Sequence, residues 1–128
     1  MTLDQLEVER ERLYQELSGI GDFRRGSISA NYRRCGKPNC ACAQPDHPGH
    51  GPQYLLTTKV EGKTRAKNLK QGTILKKVEQ EVANHLQFRK LVNDIVEVNE
   101  HICDIKEVHL QADAEATAKK GALKGSSE

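Results

Sequence analysis

A chain of 128 residues with 36% hydrophobic and 4% aromatic side chains, and no tryptophan, has room for one domain, or for one long helical element plus a small module, but too little apolar bulk for a large globular core. Its formal net charge of +2 conceals three unlike blocks: residues 1–23 carry six acidic and two basic side chains, residues 24–70 ten basic and two acidic, and residues 71–128 eight basic and ten acidic. A basic middle between acidic arms is not an evenly mixed surface, and it points to an anionic partner for the middle alone.

The first helix is expected within residues 1–20, over 2–18. Leu3, Leu6, Arg10, Leu13, Leu17 and Ile20 follow a 3-4-3-4-3 spacing that puts them on one seam. Thr2 caps the start, Asp4 sits near the positive helix end, and Ser18-Gly19-Ile20-Gly21 ends the helix. The same stretch is acidic and has no apolar run of signal-peptide or membrane-spanning kind, so a cytoplasmic protein with reduced thiols and no membrane association is expected.

Residues 24–70 read as a small module. Gly26-Ser27-Ile28-Ser29-Ala30-Asn31-Tyr32 suits a short extended segment, a cysteine loop follows, and Gln53–Val60 and Thr64–Leu69 around Glu61-Gly62-Lys63 predict a β-hairpin. From Thr73 to His109 the apolar positions Leu75, Val78, Val82, Leu86, Val92, Ile95, Val96, Ile102 and Ile105 recur at helical intervals with no proline or glycine between them. A helix over 73–109 would span roughly 54 Å, so it needs the first helix, a second copy of the chain, or both to cover its apolar stripe. A homodimer through this helix is the expectation. His85, Arg89 and Asn99 interrupt the stripe, either as register-setting polar residues or on its solvent edge. Residues 111–128 have no large apolar periodicity and are expected to be a disordered tail.

The chemistry is concentrated between Cys35 and His50, where three cysteines and two histidines share sixteen positions with glycines and prolines. Thiolates and imidazoles at such spacing are what a tetrahedral Zn²⁺ requires, and a segment nearly devoid of apolar side chains takes its folding free energy from a metal. Cys35, Cys40 and Cys42 are the candidate thiolate ligands. His50, immediately before the strand, is the candidate fourth, with His47 as its competitor. Asp46 is the only carboxylate inside the loop, which gives little support to a hydrolytic site. Cys103 lies beside Ile102 in the helical stripe and reads as a small core residue.

Arg33, Arg34 and Lys37 crowd the first ligand, and Lys59, Lys63, Arg65 and Lys67 alternate along the hairpin. Arg33, Arg34, Lys37, Lys63 and Arg65 are therefore the candidate phosphate contacts of a nucleic-acid-binding surface. Phe23, Tyr32 and Tyr54 are the nearest aromatic residues and read as a small core beneath the loop. No nucleophile–base pair or phosphate-binding loop is present, so no enzyme is expected.

The run Gly26-Ser27-Ile28-Ser29, Tyr32-Arg33-Arg34-Cys35-Gly36-Lys37-Pro38-Asn39-Cys40-Ala41-Cys42, His50-Gly51-Pro52 with Tyr54, and Gly62-Lys63-Thr64 resembles a family of short, uncharacterised prokaryotic proteins. The resemblance takes in residues 24–106. It implies a zinc-finger-like loop, a hairpin, a long C-terminal helix, and a DNA-related role beside mobile elements and transposase-like genes. It implies no catalytic residues. Relatives carry a single His-Gly-Pro where this chain adds His47 and Pro48, so the fourth ligand stays open between His50 and His47.

The expected fold is thus α+β: an N-terminal helix packed on a long C-terminal helix in antiparallel, coiled-coil fashion, with a zinc-stapled loop and β-hairpin. The expected function is nucleic-acid binding, DNA ahead of RNA, with structural Zn²⁺. Its rivals are a coiled-coil assembly adaptor whose zinc module docks a protein partner, and a thiol-based redox or metal sensor.

Overall fold

The computed structural model describes the backbone of residues 1–126 and the side chains of residues 1–119. The element order is α1 (Leu3–Ser18), β1 (Ser27–Arg33), a single 3₁₀ turn (Ala41–Ala43), β2 (His50–Val60), β3 (Lys63–Leu69) and α2 (Thr73–Ser126). These form two compact units, Ile20–Gln87 and Met1–Gly19 with the part of α2 from Phe88 onward.

In the helical unit, α1 starts at a capping box. The Thr2 hydroxyl accepts from the Gln5 N–H, and the Gln5 side chain accepts from the Thr2 N–H at 2.9 Å, so two of the unpaired donors at the helix start are satisfied. Leu6 and Leu13 of the seam are buried, as are Leu91 and Ile102 of α2. Each such leucine contributes about 1.5–3 kcal/mol on burial. The polar members of the seam find each other: Arg10 donates to Asn99 Oδ1 at 3.1 Å, and Asn99 Nδ2 reaches the Tyr14 hydroxyl. With Glu7 opposite Lys106, these pairs run α1 antiparallel to α2.

The second unit is built on a three-stranded antiparallel sheet in the order β1-β2-β3. The predicted hairpin gains a third strand. Ile28 faces Leu56 in one ladder, while Leu56 faces Lys67 and Tyr54 faces Leu69 in the other. Because side chains alternate, this register puts Ile28, Tyr54, Leu56 and Leu69 on one face, where they pack with Leu75, Val78 and Val82 of α2. The opposite face carries Ser27, Ser29, Gln53, Thr57, Lys59 and Asn68 around Leu55 and Ala66.

The connector after residue 20 is strapped to α2 by polar contacts. Glu81, only 7% exposed, holds Arg24 Nε at 3.0 Å and pairs with Lys77, while its main-chain carbonyl accepts the Arg24 N–H. Asn84 donates to the Asp22 carbonyl at 2.8 Å, and Phe23 stacks on His85.

Three expectations are corrected. α2 does not stop near His109 but continues to Ser126, so residues 111–126 are helical; residues 127 and 128 lie outside the described residues. Gln111, Ala112, Ala114, Glu115, Ala116, Ala118 and Lys119 are good helix formers without an apolar stripe, and those side chains are all exposed. Cys103 is exposed, not core: it lies one residue past Ile102, about 100° around the helix from the buried seam. Of the three aromatic residues read as a small core, only Tyr54 packs against it; Phe23 and Tyr32 are exposed, Tyr32 by half. Among the described residues, no helix is long and apolar enough to cross a membrane.

Candidate metal centre and surrounding cations

Four side chains from three local structures meet in the cysteine loop. Cys35 follows β1, Cys40 precedes the 3₁₀ turn, Cys42 lies within it, and His50 opens β2. Their donor atoms all lie within 4.8 Å of one another. Cys35 Sγ is 3.5 Å from Cys42 Sγ, and Cys40 Sγ is 3.1 Å from His50 Nε2. With Zn–S bonds of about 2.3 Å, the edge of a thiolate tetrahedron is about 3.8 Å. The four donors are therefore close enough to hold a metal ion, and they stand in the three-sulfur, one-nitrogen ratio of a closed site.

The loop is coiled by its own backbone. Cys40 donates to the Lys37 carbonyl, Ala43 to Cys40, Gln44 to Ala41, and His47 to Gln44. Cys42 is 1% exposed and is the only fully buried side chain of the described residues. Gly51 accounts for the aim of His50. Its φ is +136°, and a Cβ there would lie 2.6 Å from the Asn31 carbonyl oxygen, so a larger residue would push the start of β2 off β1 and carry the imidazole away. His47 is engaged elsewhere, its Nδ1 accepting from the Gly49 N–H at 2.9 Å. The geometry thus gathers His50, not His47, with the thiols.

The sulfurs differ in acidity. The backbone N–H of Lys37, then His50 and Cys42, and last Cys40, draw the Cys35 thiol down to about 6 against the opposing effect of burial. At Cys42 the Cys35 backbone N–H favours the thiolate, but burial and the neighbouring Cys40 and Cys35 sulfurs outweigh it and push the thiol up. Packing anions together without a cation is unfavourable. A bound divalent cation reverses that balance.

The five candidate phosphate contacts are not brought together. Arg34 turns inward: Nη1 donates to the carbonyls of Cys42 and Gln44, and Nη2 to those of Pro45 and His47. It clasps the loop while the residue stays exposed. The sequence offered no cue to this, since its partners lie eight to thirteen residues on and converge only once the loop is coiled. Arg33 and Lys37 are exposed at the metal end of the sheet. Lys63 and Arg65 are exposed beside Val60 and Thr58, ten and eight residues along β2 from His50, or about 33 and 26 Å. Lys63, Arg65 and Lys67 share one face; Lys59 points to the other.

No curated protein and no solved structure matches this chain. A family described as "Domain of unknown function (DUF6788)" matches residues 3–80. The match starts earlier and ends earlier than the 24–106 of the sequence resemblance. It takes in α1, the thiol–imidazole cluster, all three strands and the first turns of α2. Since these residues are more than half of the chain, the protein belongs to this uncharacterised family.

Proposed function

We propose that this is a small nucleic-acid-binding protein, DNA ahead of RNA, whose loop is held by one structural Zn²⁺ on Cys35, Cys40, Cys42 and His50, and that it binds rather than catalyses. The observation that carries the nucleic-acid reading is the ten-to-two excess of basic over acidic residues across 24–70, in a module whose Arg33, Lys37, Lys63 and Arg65 are exposed. Zinc suits the donor set, because three thiolates and an imidazole favour it over harder cations. A reducing compartment such as the cytoplasm would keep the thiols available. Service to a mobile element is the setting that the sequence resemblance implies for this activity.

Fluorescence anisotropy of the full chain with labelled DNA across a salt series tests the reading. Four phosphate contacts give a log–log slope of about −3 to −4, each releasing about 0.7 counterion on a single strand and 0.9 on a duplex. Replacing Arg33 and Lys37 together by alanine should flatten that slope by up to about two. Absence of affinity for DNA and RNA at low salt refutes it.

A second reading, self-association through α2, is favoured by the exposure of Val96, Val108 and Leu110 along that helix. Light scattering should give a dimer that Val96→Asp weakens and Glu97→Lys does not; a monomer at high micromolar concentration rejects it.

A further inference from the structure

An open concavity of about 590 Å³ lies on the sheet away from the thiols, lined by Arg24, Arg25, Thr58, Val60, Arg65 and Lys67, with the edge of buried Leu56 at its base. It exists because the connector lies flat on the strands. Gly26 has φ +141°, and a Cβ there would come within 2.6 Å of Leu56 Cδ1 and 3.0 Å of Thr58 Cγ2, so only glycine lets the backbone descend onto β2. Buried Glu81 then fixes Arg24 by both its carboxylate and its carbonyl. Arg25 follows directly. Across the gap, Arg65 faces Thr58 and Lys67 faces Leu56 in the β2–β3 ladder, which turns both cations to the same side as the apolar floor. Glu81 neutralises Arg24, but among the described residues no carboxylate pairs with Arg25, Arg65 or Lys67.

We propose that this concavity takes one unpaired nucleotide of a single strand, its phosphate on Arg25, Arg65 and Lys67 and its base over the half-buried Thr58 and Val60. The inference rests on the nucleic-acid reading and refines it. A duplex presents phosphate and sugar on a convex surface, with its bases stacked inside, so it would meet the cationic rim and leave the apolar floor in water. An unpaired nucleotide offers a charged group and a flat apolar face together, and a pocket of this size is of the scale that encloses a small molecule. An acidic peptide satisfies the rim but has no comparable flat apolar group for the floor.

The test measures anisotropy of the full, metal-loaded chain with oligothymidylate of about 12 nucleotides, a duplex of equal length, and polyglutamate of matched charge. The expected result is single-strand binding at least about tenfold tighter than duplex binding at equal salt. Replacing Arg25, Arg65 and Lys67 together by glutamine should lower single-strand affinity about tenfold or more and duplex affinity by less, because a duplex meets the rim alone. Val60→Asn, which removes floor without removing charge, should weaken the single strand alone. Unchanged zinc content and melting temperature show that the variants fold. Duplex binding as tight as single-strand binding, or Val60→Asn without effect, overturns the pocket and leaves the nucleic-acid reading standing. Polyglutamate binding as tightly as oligothymidylate, or no binding to either nucleic acid, overturns both.

Discussion

The metal loop and the helical pair obtain order from opposite resources. In the loop from Cys35 to His50 the one fully buried side chain is Cys42, and the ties are sulfur, imidazole and main-chain polar groups. In the helical pair the ties are Leu6, Leu13, Leu91 and Ile102, with Arg10 and Asn99 as one polar contact among them. The loop's donor atoms are specified to within a few ångströms and lose their reason to be together without a cation. The helices need only apolar area on one face, which tolerates substitution of any one leucine at a cost. This difference makes separable predictions.

The largest effect belongs to the loop. Cys42→Ser should take zinc from one per chain to none by elemental analysis, because structural Zn²⁺ is worth about 10–16 kcal/mol in small zinc modules. The far-UV helical signal of α1 and α2 should survive both this variant and a chelator. Loss of helix together with metal would show that the contrast between the regions is false. His50→Ala should release zinc more readily than His47→Ala; the reverse order would move the imidazole ligand to His47.

Next comes the helical seam. Leu6→Ala and Leu13→Ala should each cost about 2–5 kcal/mol in unfolding free energy, the usual range for a buried leucine truncated to alanine. Zinc content should be untouched. If either variant lost its metal, the two regions would share one cooperative fate.

Arg34 sharpens the loop side. Arg34→Gln removes a guanidinium shared among four carbonyls, and competition with a chromogenic chelator should then show zinc affinity weaker by about tenfold, typical of groups that orient ligands without touching the metal. Arg33→Gln, with the same charge change one residue earlier, should leave zinc affinity unchanged. Equal losses in the two variants would mean that charge, not the carbonyl clasp, is responsible.

What the sequence disclosed follows the same division. The donor set was legible because ligand chemistry is local: three thiols and two imidazoles in sixteen positions leave few other uses for them. The α1 seam was legible because its spacing is. The strand pairing of β1 was harder to read, since Ile28 is its one large aliphatic side chain and its partner lies almost thirty positions on, at Leu56. The clasp made by Arg34 could not be read, because an arginine in a basic run shows no carbonyl partners until the fold supplies them. The helix beyond His109 leaves no apolar periodicity to read, because its alanines and lysines with Gln111 and Glu115 favour helix without a stripe. Separation of the cations into two groups along β2 depends on strand register, which composition does not carry.

Glu81 supplies a third kind of tie, neither thiol nor leucine, and its signature is pH. Hydrogen bonding by Lys77, assisted by the charges of Arg24 and Lys77, holds its carboxyl below the usual glutamate value despite burial. A carboxyl more acidic in the folded than in the unfolded chain stabilises the fold above its unfolded value, and the gain fades as pH falls through the folded one. Zinc ligands also protonate in acid, so the informative quantity is the difference in melting temperature between the parent and Glu81→Gln, measured in both at each pH. That difference should be steady from neutral pH down to about 5.5 and shrink below about 4.5. It should be the smallest of the effects considered, because it concerns one carboxylate that keeps its hydrogen-bonding shape as the amide. A difference that stays constant down to about pH 3 would assign the role of Glu81 to packing, and the strap between the connector and α2 would then rest on the main-chain bond to Arg24 and on Asn84.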